Sequence, residues 1–256
     1  MNRPILSACL AIAVTAFAGS ALAQEVVRIG TTPESYPPYS WVDAQGKLNG
    51  FEIDLGDALC AEMKVKCEWV LQSWDGIIPA LQEKKFDGII ASMSITAERK
   101  QVVDFSDKYY NSPAEFIGRK DETVDISADG LKGKTVGVQI STVHAGYIEA
   151  KYKNIVTIKT YDTQENANLD LIAGRVDLLL ADGVALDSFL KSADGADFEV
   201  KGKPFTDPMM GDGVGVAVRK DDTALRDKFS AAIKAIRANG VYKAINDKYF
   251  SFDIYG

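Results

Sequence analysis

The sequence predicts an α/β protein of two lobes, each built on a parallel sheet with helices on its faces. Three observations lead there. Apolar runs of strand length alternate with longer amphipathic stretches. The alternation lapses in the polar segment 121–129 and restarts at Gly133. Lys85-Phe86-Asp87-Gly88-Ile89-Ile90-Ala91-Ser92 matches Arg175-Val176-Asp177-Leu178-Leu179-Leu180-Ala181-Asp182 in residue type, and both runs follow amphipathic helical patterns.

The elements follow in order. Residues 1–23 read as a signal peptide: Arg3 is the positive end, 5–17 the apolar core, and Ala21-Leu22-Ala23 the cleavage signal. Cleavage after Ala23 is expected, leaving an exported chain. No later stretch approaches the ~20 apolar residues of a membrane span. A strand is expected over 26–30, then a loop rich in Pro and Tyr. Helix 51–63, strand 67–71, helix 77–83 and strand 86–91 come next, and a helix is expected to start at Thr96. The second series is strand 133–138, helix 142–151, strand 155–159, helix 163–173 and strand 176–181. A strand at 213–218 and helices at 223–239 and 241–248 need a sheet to pack on. Their return to the first sheet divides the chain into lobe 1, residues 24–112 and 207–256, and lobe 2, residues 113–206. Crossings are expected near 111–113 and 203–212.

The charge is acidic: 29 basic and 36 acidic residues give −7, and −8 without the signal. An acidic surface without basic runs argues against nucleic acid and anionic membrane. Cys9 leaves with the signal. Cys60 and Cys67 remain as an even pair in an exported chain, and a disulfide between them is expected. His144 is the sole histidine, and no Cys/His spacing fits zinc, so no metal or other cofactor is expected. His144 has no triad-like partner and is expected at the surface or cleft edge. Nothing demands catalysis.

The clearest chemical signal is Ser92-Met93-Ser94-Ile95-Thr96-Ala97-Glu98-Arg99. Arg99 falls in the first turn of the expected helix, where the dipole disfavours a cation. A guanidinium there, beside the Ser92 and Ser94 hydroxyls and free N–H groups, suits a carboxylate. Met93, between the serines, is counted with that site. Ser141 or Thr142 can cap the next helix and offer N–H groups from across a cleft. Asp182 ends an apolar strand; it either caps the following helix or receives an ammonium group. Tyr36 and Trp74 lie in loops at strand ends, placed to sandwich a flat or cationic side chain. Glu34 is placed to meet a distal positive charge. Ligands of open α/β sheets bind beyond the carboxyl ends of the strands.

With those residues in place, the chain resembles the periplasmic polar amino-acid-binding proteins of ABC importers, solute-binding protein family 3, in the lysine/arginine/ornithine and histidine group. The resemblance spans 27–256. It rests on Gly50-Phe51-Glu52-Ile53-Asp54-Leu55, the two cysteines, Ala91-Ser92-Met93-Ser94-Ile95-Thr96, Arg99, Phe105-Ser106-Asp107, Leu131-Lys132-Gly133-Lys134, Ala173-Gly174-Arg175-Val176-Asp177 and 213–220. It implies the type II periplasmic binding protein fold, two Rossmann-like lobes on a two-strand hinge. Arg99 would hold a ligand carboxylate with Ser92, Ser94 and Thr142, Asp182 the α-amine, and Tyr36 and Trp74 the side chain. It also implies a monomer that delivers an L-amino acid to the transmembrane subunits of a permease. The loop 31–36 is one residue longer than the basic-amino-acid pattern, so Glu34 stands in for the usual side-chain-reading aspartate. Opine receptors share some of these features, and cyclohexadienyl dehydratases share the fold.

Overall fold

The first strand, β1 (Val26–Thr31), buries Val27 and Ile29 on one face. The structure, a computed structural model, describes residues 25–256; the signal segment lies outside them. A hairpin of β2 (Trp41–Val42) and β3 (Leu48–Asn49) precedes α1 (Phe51–Glu62). Phe51, Leu55 and Leu59 form the helix's buried stripe at four-residue spacing. The chain continues through β4 (Lys66–Leu71), α2 (Ile77–Gln82), β5 (Gly88–Ile89) and β6 (Asp104–Tyr110).

After 111–113 the chain enters a second sheet. Its elements are β7 (Ala114–Arg119), β8 (Thr135–Gln139), α3 (Val143–Tyr152), β9 (Thr157–Tyr161), α4 (Gln164–Ile172), β10 (Leu178–Asp182), α5 (Gly183–Leu190) and β11 (Phe198–Phe205). Thr142 and Thr163 cap α3 and α4, accepting from the Ala145 and Asn166 N–H groups at 3.1 and 3.0 Å. The chain then returns as β12 (Val214–Val218), α6 (Thr223–Ala238) and α7 (Val241–Tyr249).

The sheets run β4-β1-β5-β12-β6 and β11-β7-β10-β8-β9. β12 alternates across its sheet. Val216 and Val218 pack with Phe51, Phe229 and Ile233 on one face, while Ala217 packs with Ile77 and Phe86 on the other. The Cys60–Cys67 disulfide joins the end of α1 to β4, with Cα atoms 5.8 Å apart.

The sheets are mixed, which departs from the parallel expectation. β4-β1-β5 and β10-β8-β9 are parallel, but β12 and β7 pair antiparallel with their neighbours. The strand expected over 86–91 keeps only Gly88 and Ile89 in the ladder. The helix expected at Thr96 is a single 3-10 turn, Arg99–Gln101. Thr96 does accept from the Arg99 N–H at 3.1 Å, but one turn carries no useful macrodipole. The dipole penalty expected for Arg99 is therefore absent, and its state is set by its surroundings.

Candidate functional site

Residues at and just beyond the carboxyl ends of β1, β5 and β8 line one cavity between the two sheets. The local geometry begins with Ser92. It leaves β5 with φ 53°, a left-handed conformation unusual for serine. Buried Glu52 holds it there: the Ser92 N–H donates to Oε1 at 2.8 Å, and Ser92 Oγ lies 3.1 Å from Oε2. Ser94 bridges to Val214, which ties the segment to β12. Both serines line the cavity.

Arg99 lies on the same wall. Its Nη1 donates to the Ser94 carbonyl at 3.0 Å and its Nη2 to the Ser141 carbonyl, across the cleft, at 3.1 Å. The guanidinium carbon sits 5.3 Å from the centre of the Trp74 ring. Burial pushes Arg99 down to about 10, against the pull of Glu98 and Asp182. An incoming carboxylate would relieve that penalty.

Trp74 also crosses the cleft, its Nε1 donating to the Ile140 carbonyl at 3.1 Å. Ser141, in a left-handed conformation at φ 59°, donates to Asp75 Oδ1 at 2.6 Å. Its side chain is thus engaged at the outer edge and is not part of the cavity wall. Thr142 lines the cavity and donates to the Gln139 carbonyl at 2.7 Å while capping α3.

Asp182 makes no capping bond to α5. It accepts instead from the Tyr36 hydroxyl at 2.7 Å, and His144 Nε2 lies 4.0 Å from its other oxygen. Burial pushes the Tyr36 phenol well up, and the nearby Asp182 charge pushes the same way. Tyr36 stacks on Tyr39 at 5.7 Å between ring centres. Glu34 also lines the cavity, and its Oε2 is enclosed without a hydrogen-bond partner.

The structure thus gathers Glu34, Tyr36, Trp74, Ser92, Ser94, Arg99 and Thr142 around one cavity, with Asp182 bonded to its wall. Met93 is not among them. It packs in the core with Ile77, Leu81 and Phe86, since alternate side chains of an extended segment take opposite sides. His144, expected at the surface or edge, is buried and lines the cavity. Burial holds its imidazole below the usual range. Thr32, Ser35, Ser40, Gln139 and Gln164 also line it. Thr32 and Ser35 were legible as neighbours of Glu34. Gln139 and Gln164 lie at the ends of elements where any polar residue is ordinary.

Among the described residues, no group of three or more His, Cys, Asp and Glu is arranged to hold a metal ion. Nor is any described helix long and apolar enough to cross a membrane.

A cavity between two α/β sheets that gathers charged, hydroxyl and aromatic side chains, with the chain crossing twice between the sheets, defines a two-lobed solute-binding protein. The chain belongs to the bacterial extracellular solute-binding proteins, family 3, whose model matches residues 27–252. It is 47% identical to the L-arginine-binding protein of Pseudomonas aeruginosa, over 100% of this chain and 99% of that one. It is 40% identical to the lysine/arginine/ornithine-binding periplasmic protein of Escherichia coli, over the full length of both. Among solved structures, an ancestral arginine-binding protein bound to arginine superposes with a TM-score of 0.83 at 35% identity, covering 89% of this chain and 99% of that one. These relatives are binding proteins.

Proposed function

We propose that this protein is an exported receptor that closes on an L-amino acid with a cationic side chain and presents it to an ABC permease. The single observation that carries the reading is the pairing of charges in one cavity. Arg99 offers a partly desolvated guanidinium, while Glu34 offers an enclosed carboxylate oxygen with no partner. An unpaired buried polar group is costly. A zwitterion with a distal positive charge supplies the missing partner at each place.

In this reading the ligand carboxylate meets Arg99, Ser92, Ser94 and Thr142, and its α-amine meets Asp182. Tyr36 and Trp74 flank the side chain, and Glu34 receives its charge. Residues 24–112 with 207–256, and residues 113–206, act as two lobes on the strand crossings. The bonds Tyr36–Asp182, Trp74–Ile140 and Arg99–Ser141 are then contacts of the closed form. A ligand that favours closure shifts the population toward it. The chain acts as a monomer after losing residues 1–23, works without a cofactor, and catalyses nothing. The relatives' arginine and lysine/arginine/ornithine specificities support the ligand class.

Thermal unfolding with L-arginine, L-lysine, L-ornithine, L-histidine and octopine tests this reading. The expected result is a Tm that rises with ligand concentration, most for a cationic L-amino acid. No shift with any of them overturns the reading, and a shift with octopine alone replaces the amino acid by an opine. Turnover of prephenate to phenylpyruvate would make the protein an enzyme.

A further inference from the structure

Glu52 is an acid without a cation. It lies in the first turn of α1, fully buried, directly behind Ser92. Its Oε1 accepts from the Ser92 N–H at 2.8 Å and from the Tyr109 hydroxyl at 2.5 Å. Its Oε2 lies 3.1 Å from Ser92 Oγ. The titratable groups acting on it are Tyr109 and Tyr110 on β6, Tyr39 in the loop before α1, and Asp182 at the end of β10. All are neutral or negative, and none of its hydrogen-bond partners is a cation.

The Ser92 hydroxyl has one hydrogen. With Glu52 ionised, that hydrogen goes to Oε2, and Ser92 presents only lone pairs to the cavity. With Glu52 protonated on Oε2, the acid donates to Ser92 Oγ. The serine hydrogen is then free to donate to an anion in the cavity. The same proton removes an uncompensated negative charge from behind that anion.

We propose that Glu52 is a positioning residue that takes up a proton when a carboxylate binds at Ser92, making ligand capture proton-linked. This rests on the reading that the ligand carboxylate seats at Ser92 and Arg99. Burial pushes Glu52 up to about 7, so the exchange falls near neutral pH. A bound carboxylate would raise it further.

The test is calorimetric titration of the full protein with L-arginine, comparing wild type with Glu52→Gln. Glutamine keeps an acceptor for the Ser92 N–H and Tyr109, and a permanent N–H donor for Ser92 Oγ, so it imitates the protonated acid. Between about pH 6 and pH 8 the wild-type Kd is expected to rise roughly tenfold. The Glu52→Gln Kd is expected to stay flat at the acid value. His144 is present in both proteins, so its titration cancels. Wild-type heats in phosphate and in Tris buffer at about pH 7.5 report proton uptake directly, without a variant; net uptake is expected. Parallel pH profiles in the two proteins overturn the proposal, as does the absence of proton uptake by wild type. Binding without that linkage overturns this proposal alone. A wild type that binds no amino acid at any pH overturns the receptor reading along with it.

Discussion

The Tyr36 hydroxyl donates to Asp182 at 2.7 Å across 146 residues of sequence, joining the loop after β1 to the end of β10. One bond therefore connects the two sheets at the wall of the cavity. Tyr36→Phe removes it and leaves Asp182 with one donor fewer. The Kd for L-arginine should rise roughly tenfold, the usual value of a hydrogen bond to a charged group. Titration calorimetry checks it; an unchanged Kd would show that the bond is idle in the closed form.

Arg99→Ala should weaken L-arginine binding by about 100-fold or more, since a ligand carboxylate would be left unpaired in the cleft. The ligand-free protein should keep its Tm within about 3 °C. Arg99 already bears a burial penalty, and its removal offsets the two carbonyl bonds lost. Scanning calorimetry with and without L-arginine separates the two effects.

Glu34→Gln should discriminate between ligands. Affinity for L-arginine and L-lysine should fall about tenfold or more, the value of a charge-assisted pair. Affinity for L-glutamine should hold or improve. Equal losses for all three would place Glu34 outside side-chain recognition.

The pH dependence of stability also turns on Glu52. Its folded value, about 7, lies above the ordinary 4.5. A raised carboxyl contributes stability below about pH 4.5 that is lost as the pH climbs through 7. Relative to Glu52→Gln, the wild type should lose on the order of 3 kcal/mol across that window. Urea unfolding of both proteins at several pH values measures it, and a constant difference would sink it.

The Cys60–Cys67 bridge closes a loop of sequence separation 7. Replacing both cysteines by serine should cost about 2–3 kcal/mol and lower Tm by roughly 5–10 °C. The bridge meets β4 near its amino end, while the cavity lies at the carboxyl ends of the strands. Affinity for L-arginine should therefore match wild type.

The elements legible in the sequence are those whose pattern is local. α6 shows Leu225, Phe229, Ala232, Ile233 and Ile236 on one stripe, and its apolar spacing is visible without a partner. The Thr142 and Thr163 caps belong to the same kind. β6, β7 and β11 were not marked. β6 mixes Asp104, Ser106, Asp107 and Lys108 with its apolar residues, and β11 carries Gly202 and Pro204. Such strands exist because a neighbour supplies the ladder, and β11 tolerates proline as an edge strand. Met93 and His144 were misplaced for a related reason. Which way a side chain faces depends on what the segment packs against.

The sequence by itself determined the alternating α/β plan, the cysteine pair and the residue types of an amino-acid site, because periodicity, caps and charge are properties of neighbouring residues. Tertiary structure alone decided which of those residues meet. It reduced the helix at Arg99 to one turn and set its guanidinium between Ser94 and Ser141. It left Asp182 without a capping bond and made it the partner of Tyr36. It placed Glu52, forty residues away in sequence, behind Ser92. These contacts join segments distant along the chain, and only packing two sheets around a common cavity brings them within hydrogen-bonding range.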